Sequence, residues 1–259
     1  GIGARSDLKR YTLRLNLDHQ TEKLTFQFSS TVGYSTRNFI ESEAGVALAN
    51  PFAAAYLALP YDPLYLANGN VNTGAGKVGG NAFQRIADIE RYNNQLKNTS
   101  AINVNYDITE NFFAGGNVGF DFRETINTTF QKPGTFTASQ SGFPGNTGFY
   151  ADGYSRYFQA NARGFVGYKD EFGKNGEHKI NVTANAENIF QRTKTFNFTG
   201  FGINVKLPNT PAAITPGTVD NRLIPTVGGS KSQRVFASFF GLLKYSYDDR
   251  YILDLAVRR

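Results

Sequence analysis

The sequence predicts an all-β protein whose roughly eight strands form part of a larger transmembrane antiparallel β-barrel. Long stretches alternate apolar and polar residues with a period of two, the spacing at which a strand presents two different faces. Short polar turns alternate strictly with long loops, and all nine prolines lie in the long loops. The predicted strands reach about ten residues, whereas strands of soluble domains average about 5–6. This pattern favours a membrane barrel.

The strands are predicted as four hairpins, each closed by a short turn. The first strand shows the pattern clearly, because Leu13, Leu15 and Leu17 alternate with polar residues. The last hairpin turns at Asp248 and Asp249, residues that suit a tight turn. The eight predicted strands cover residues 9–18, 24–34, 100–106, 112–123, 158–168, 180–187, 235–247 and 251–257.

Long loops link the hairpins within one barrel domain, of which the whole chain, residues 1–259, is predicted to be a part. The first loop is predicted to hold two short helices, near residues 45–59 and 82–92. Loops of this length are uncommon unless they are functional or disordered. The three long loops cover residues of about 38–92, 128–153 and 195–230.

The apolar faces of the predicted strands have the character of a lipid-facing surface. Their central parts carry no charged residue, and a Lys or Arg at the bilayer midplane of a barrel costs about 2–4 kcal/mol. Aromatic residues concentrate at both strand ends, which is typical of two membrane girdles and not of a soluble core. By the same rule, the long loops are predicted to be extracellular and the short turns periplasmic. The girdle residues are Tyr11, Tyr34, Phe120 and Phe122 toward the long loops, and Tyr106, Phe112, Tyr168, Tyr245 and Tyr251 toward the turns.

Composition excludes several other classes of protein. The chain of 259 residues has no Cys, which rules out disulfides and thiolate metal sites. Its net charge of +6 is spread among interleaved acidic residues without a basic run, so we expect no nucleic-acid partner. Because Met is absent and residue 1 is Gly, we expect a processed product, a fragment or a part of something longer.

No constellation predicts an enzyme, a cofactor or a bound metal. Residues 74–79 match the pattern G-x-G-x-x-G, but their flanks are loop and not the strand and helix of a dinucleotide site. His19 and His178 lie at short turns and are read as polar turn residues, so no catalytic triad can be argued. Carboxylates of the first long loop, Glu41, Glu43 and Asp62, are either calcium ligands or solvated loop charges.

Two sets of residues are candidates for contact with a transported solute. Aromatic rings in the loops can stack on sugars or pack against peptide side chains, or they can pack the loops together. Charged residues on the polar strand faces can steer a polar solute, or simply solvate a channel wall. The loop candidates are Phe52, Tyr56, Tyr61, Tyr65, Phe143, Phe149 and Tyr150, and the channel-lining candidates are Arg14, Asp121, Arg123, Arg163 and Glu187.

Several runs resemble the SusC/RagA group of TonB-dependent outer-membrane transporters. They are residues 8–18 (LKRYTLRLNLD), 50–52 (NPF), 59–65 (LPYDPLY), 68–70 (NGN) and 245–259 (YSYDDRYILDLAVRR). The resemblance implies a 22-stranded barrel in the bacterial outer membrane, plugged by an N-terminal domain and lidded by a SusD-like surface lipoprotein. The plug, the TonB-binding segment and the remaining strands are not in this sequence.

The function that the resemblance implies is import of a large nutrient, a glycan or a peptide, energised by TonB. The expected partners are the lipoprotein, the remainder of the transporter, the TonB complex through parts outside this chain, and outer-membrane lipid. The alternative is a passive porin-like barrel or a structural or adhesive barrel of the same membrane.

Overall fold

The computed structural model describes residues 6–39, 56, 59, 61–70, 72, 87–135, 138, 147–207 and 209–259. Eight strands form one sheet in which each strand pairs antiparallel with the next, in linear order. This up-and-down arrangement confirms the predicted all-β, antiparallel architecture. The strands are β1 (Asp7–Gln20), β2 (Leu24–Asn38), β3 (Ile89–Asp107), β4 (Phe112–Gln131), β5 (Phe149–Phe172), β6 (His178–Phe201), β7 (Thr226–Tyr247) and β8 (Tyr251–Arg258).

Tight turns close the four hairpins at one end of the sheet, which we name the short-turn end. The β7–β8 turn places Asp248 and Asp249 at φ values of 51° and 49°. The Arg250 amide donates to the Tyr247 carbonyl at 3.1 Å, so these two residues are the centre of a type I′ turn. This turn matches strand twist, and Asp tolerates positive φ better than most residues. The opposite end of the sheet, where the longer connections lie, is the long-loop end.

The register of the sheet implies strongly tilted strands. Following the paired residues from Gln20, at the end of β1, leads across the sheet to Phe240 on β7. Phe240 lies seven residues before Tyr247, where β7 ends. With a strand spacing of about 4.8 Å and a rise of about 3.4 Å per residue, this offset over six strand steps gives a tilt of about 40°. Membrane barrels have strand tilts of about 35–45°.

The strands at the long-loop end extend well beyond the predicted limits. Residues 89–92, predicted as part of a helix over 82–92, belong to β3 and pair with residues 128–131 of β4. The helix prediction is therefore wrong there, because ladder hydrogen bonds outweigh a weak helical spacing. The helix predicted over 45–59 falls almost entirely outside the described residues.

Longer strands also shorten two connections. The loop expected at 128–153 narrows to residues 132–148, and the loop expected at 195–230 narrows to residues 202–225. Alternation weakens in these strand extensions, because charged residues such as Glu124, Arg156 and Lys194 enter the face that is apolar further along the strands.

The sheet has an apolar face and a polar face. Alternate residues of every strand form an uncharged band on the apolar face, and most exposed large hydrophobic side chains of the strands lie there. On β5 the band runs from Phe158 to Tyr168, about 34 Å along the strand and about 26 Å along the membrane normal at the tilt derived above. That height matches the apolar band of about 25 Å in membrane barrels. The band comprises alternate residues of 11–17, 24–34, 96–106, 112–122, 158–168, 180–190, 235–245 and 251–257.

Aromatic side chains pack together on the apolar face at the short-turn end. The His178 ring stacks on Phe172 at 4.9 Å and shares a hydrogen bond of 2.7 Å with the Tyr245 hydroxyl. Phe112 and Tyr168 lie 5.0 Å apart. Rings with a polar tip suit the boundary between lipid and water. His178 is thus a member of this girdle as well as a residue beside a turn.

A small core covers the apolar side of the strand extensions at the long-loop end. Phe130 and Tyr150 are buried against Ile203 and Ala213 of the β6–β7 connection. A short 3-10 helix, Pro211–Ala213, lies in this connection. Across the part of the chain that the structure describes, no helix is long and apolar enough to span a membrane.

Candidate functional site: the polar face and the loops above it

The five charged residues predicted to line a channel all lie on the polar face of the sheet. Their positions follow from the period of two, which the pairing of the strands keeps in phase across the sheet. Asp121 pairs in register with Gln159, and Arg163 pairs with Glu187. Their contact with a solute stays a prediction. The five residues are Arg14, Asp121, Arg123, Arg163 and Glu187.

A charged cluster ties the last three strands together on the polar face. Arg258 of β8 bonds the carboxylate of Glu187 on β6 through its Nη2 atom, and donates to the Ser238 hydroxyl of β7 at 2.9 Å. The Ser238 hydroxyl in turn donates to Glu187 at 3.3 Å. The sequence analysis did not identify this role of Arg258. Only the register, which sets β8 beside β7, could reveal it.

The side chain of Arg163 contacts an aromatic ring and leaves one buried donor without a described hydrogen-bond partner. Its Nε atom is buried and has no hydrogen-bond partner in the described part of the chain. Its guanidinium lies 5.6 Å from the centre of the Phe165 ring, on the same face of β5. A buried donor without a partner costs free energy. Among the described residues, the Phe165 ring and not a hydrogen bond from Nε therefore holds the Arg163 side chain.

A basic recess opens on the polar face toward the long-loop end. It encloses about 420 Å³, and its charged lining residues are Arg10, Lys97 and Arg123. Lys97 and Arg123 are register partners, so two like charges face each other across β3 and β4. The Arg123 guanidinium also lies 5.6 Å from the centre of the Tyr157 ring. Because none of its described lining residues is acidic, this inner basic recess favours anionic groups.

Three of the loop aromatics are exposed at the long-loop end. The exposed fractions of Tyr56, Tyr61 and Tyr65 are 89%, 77% and 63%. A compact turn holds the neighbouring chain: the Leu66 amide donates to the Asn70 carbonyl at 2.8 Å, and Gly69 takes a φ of 82°. Their contact with a ligand stays a prediction. Two further candidates, Phe52 and Phe143, lie outside the described residues.

The remaining two loop candidates lie in strand β5, and the structure corrects one of them. Tyr150 is only 4% exposed and belongs to the small core on the apolar side. Its hydroxyl donates to Asp152 at 3.1 Å, and burial, followed by the nearby carboxylate, raises the pKa of Tyr150 well above its usual value. Tyr150 is therefore structural and does not face a solute. Phe149 lies on the polar face and is half-buried.

Most residues of the two chemical motifs considered in the sequence fall outside the part of the chain that the structure describes. Residues 74–79 lie outside the described residues, as do Glu41 and Glu43 of the calcium hypothesis. Within the described ranges, no group of three or more His, Cys, Asp or Glu side chains is placed to hold a metal ion.

Mixed charges surround a second recess, at the short-turn end of the polar face. It encloses about 720 Å³ and brings lysines and carboxylates together. Lys179 bonds Asp249 at 2.8 Å, and Lys169 bonds Asp107 at 3.2 Å. These pairs join neighbouring hairpin turns. Exposed pairs of this kind contribute little stability individually.

Known proteins share this arrangement of strands. No family model matches the chain. The TonB-dependent receptor P26 of Formosa agariphila is 27% identical over 272 residues, which include 100% of this chain and 25% of the receptor. A structure of the RagAB peptide transporter superposes with a TM-score of 0.75 at 15% identity, covering 98% of this chain and 28% of the other. The chain has the fold of a TonB-dependent outer-membrane barrel.

A more distant structural neighbour has the same architecture. It is BauA, the ferric preacinetobactin receptor of Acinetobacter baumannii, with a TM-score of 0.53 at 14% identity over 97% of this chain and 33% of BauA. The resemblance to the SusC/RagA group and the outer-membrane location are thereby confirmed. These proteins are named as receptors and transporters, in agreement with the prediction of a transport protein. The chain spans about a quarter of the length of its curated relative.

Proposed function

We propose that this chain supplies barrel strands to a TonB-dependent importer of a large nutrient, a glycan or a peptide. The observation that carries the proposal is the polar face. It combines long charged side chains, an inner basic recess and hydrogen-bonding side chains over eight tilted strands, opposite an uncharged band of membrane height. A wall of this kind suits a wide, hydrated passage. The RagAB structures are named as peptide transporters and importers.

The width of the barrel follows from the geometry of the sheet. Eight strands spaced about 4.8 Å apart and tilted by about 40° would close to a cylinder about 16 Å across. Side chains alone fill a barrel of that size, which leaves no passage. Both β1 and β8 are edges of the sheet, and unpaired edges call for neighbouring strands. We propose that further strands pair there in a barrel of about 22 strands.

The orientation in the membrane is part of the proposal. Outer-membrane barrels have short periplasmic turns and longer extracellular loops, so the long-loop end is placed outside. Exposed Tyr61 and Tyr65 then lie where an incoming nutrient and a SusD-like surface lipoprotein arrive. Contact with the TonB complex belongs to parts of the transporter outside these 259 residues.

Purification of the complete protein from native membranes tests the assembly. Mass spectrometry is expected to find a surface lipoprotein co-purifying with a barrel that also carries a plug domain. Uptake of fluorescent oligopeptides and oligosaccharides should depend on TonB and on the lipoprotein. TonB-independent passage of small solutes through the purified barrel would instead establish the porin-like alternative.

A further inference from the structure

A group of cations lies on the apolar side of the sheet, just beyond the long-loop limit of the uncharged band. The band ends at Phe158 on β5, Phe190 on β6 and Val235 on β7. Within the next four residues each of these strands places a cation on the same face. We name this group the outer basic patch, and its members are Arg156, Arg192, Lys194 and Lys231.

The register sets four charges side by side across β4–β7. Glu124 pairs with Arg156, Arg156 with Lys194, and Lys194 with Lys231. Directly opposed side chains in antiparallel strands lie about 4.5–5.5 Å apart at Cβ, and like charges there are destabilising. Of the three cations in this row, only Arg156 has an acidic partner among the described residues, the Glu124 carboxylate at 2.6 Å. An anion bound between the two opposed lysines would therefore relieve their repulsion.

A recess lies beside the two lysines. It encloses about 520 Å³, with Lys194 and Lys231 along one side and the rings of Tyr154 and Phe196 along the other. Gly229 leaves its floor bare, and a Cβ atom there would lie 2.7 Å from the Thr195 carbonyl oxygen. The strands thus approach too closely for any larger residue. Two cations beside two aromatic rings suit a phosphorylated sugar.

We propose that the outer basic patch binds the phosphorylated headgroup of a glycolipid in the membrane leaflet at the long-loop end. The patch faces away from the polar face, so a solute inside the barrel cannot reach it. Two residues along a strand advance about 7 Å, so acyl chains of the same lipid would run directly down over Phe158, Phe190 and Val235. Basic residues at this level of a membrane attract anionic headgroups. The inference uses the membrane orientation proposed above, but not the import activity.

The test compares two double variants of the complete transporter, purified and placed in lipid nanodiscs. Lys194→Gln with Lys231→Gln removes the opposed lysines, and Lys23→Gln with Lys206→Gln removes two exposed lysines elsewhere. Binding of bisphosphorylated lipid A, its dephosphorylated form and inorganic phosphate is measured by native mass spectrometry. The wild type and the control are expected to prefer the phosphorylated glycolipid. The patch variant should bind it about tenfold to thirtyfold more weakly, since each basic residue near an anionic surface contributes about fivefold.

Three outcomes would overturn the proposal. In the first, the patch variant binds the phosphorylated glycolipid as tightly as the wild type does. In the second, the wild type binds the dephosphorylated glycolipid as tightly as the phosphorylated one. In the third, inorganic phosphate at low millimolar concentration displaces the glycolipid, which would indicate a free-phosphate site. Lys194→Arg with Lys231→Arg should keep the binding, which separates loss of charge from misfolding. Nutrient uptake by the patch variant is expected to equal that of the wild type, so a failure of the import proposal would show separately.

Discussion

A charge placed at the middle of the uncharged band tests the assignment of the lipid-facing surface. Ile102 lies on the apolar face of β3 and pairs with Phe28 and Val118. Its neighbour Asn103 lies on the polar face and is exposed. Ile102→Arg and Asn103→Arg therefore introduce the same side chain one residue apart, on opposite faces of the same strand. Tyr106→Arg, at the short-turn limit of the band, serves as a depth control.

The expected magnitudes differ by face and by depth. Arg at the bilayer midplane of a barrel costs about 2–4 kcal/mol, falling to about 0–1 kcal/mol near the interfaces. Since 1.4 kcal/mol is tenfold in an equilibrium constant, Ile102→Arg should lower the folding equilibrium constant roughly 30-fold to 800-fold. Tyr106→Arg should change it by less than about fivefold on account of its charge. Asn103→Arg should be nearly neutral, because it faces water.

Denaturant titration of the complete barrel in lipid vesicles, followed by heat-modifiable migration on a gel, measures these effects. The order of stability is expected to be wild type, Asn103→Arg, Tyr106→Arg and Ile102→Arg, from the most to the least stable. Equal losses from Ile102→Arg and Asn103→Arg would refute the assignment of the two faces. A larger loss from Asn103→Arg would mean that the polar face is the packed or lipid-facing one.

Three further predictions concern other parts of the sheet. Tyr150→Phe should reduce the unfolding free energy by about 0.5–1.5 kcal/mol, because it removes one hydrogen bond. Tyr150→Ala should reduce it by about 3–5 kcal/mol, because it leaves a cavity. If Tyr150 instead contacted a solute, these variants would change uptake without changing thermal unfolding. The hydrogen bond from Arg156 holds the pKa of Glu124 below its usual value. The pair should therefore stabilise the barrel above the ordinary pKa of a glutamate, about 4.3, and lose its effect as pH falls through the lowered pKa. Comparing thermal unfolding of wild type and Glu124→Gln from pH 7 to pH 3 should show a difference, under about 1 kcal/mol, that vanishes in acid; a difference that grows in acid would contradict the sign. Lys97→Gln with Arg123→Gln should reduce uptake of acidic peptides about tenfold relative to neutral peptides of equal length, and an equal change for both would remove the inner basic recess from selectivity.

The strands could be predicted from the sequence because lipid and water impose different chemistry on alternate residues. Where that contrast holds, as from Phe158 to Tyr168, the period of two predicted strand, face and partner correctly. The contrast is lost at the long-loop end, where charged residues enter the apolar side and a small core covers part of it. Residues 89–92 therefore carried no strand signal, although they pair along their full length.

The candidate site could also be predicted only where the alternation of apolar and polar residues was clear. Arg123, Arg163 and Glu187 were assigned to the correct face because parity along a strand does not depend on knowing its neighbours. Tyr150 was misassigned because its segment was taken as loop, which discards parity. Counting back in twos from Phe158 places Tyr150 on the apolar face, so the signal was present. The ion pair between Glu187 and Arg258 could not be predicted from the sequence pattern, because it depends on the register between separate strands.

Charge at the two limits of the apolar face fixes the level of the membrane on β5. Between Arg156 and Asp170 this face carries no charge, an interval of about 48 Å along the strand. At a tilt of about 40° the interval spans about 36 Å of the membrane normal, so a hydrocarbon layer of about 25 Å leaves about 5–6 Å at each side. Phe158 and Tyr168 occupy those margins, and the Tyr168 hydroxyl donates to Asp170 at 2.7 Å. Arg156 lies at the outer edge of the margin on the long-loop side. When the aromatic rings lie at the two boundaries of the hydrocarbon layer, the outer basic patch therefore lies at the height of the lipid headgroups.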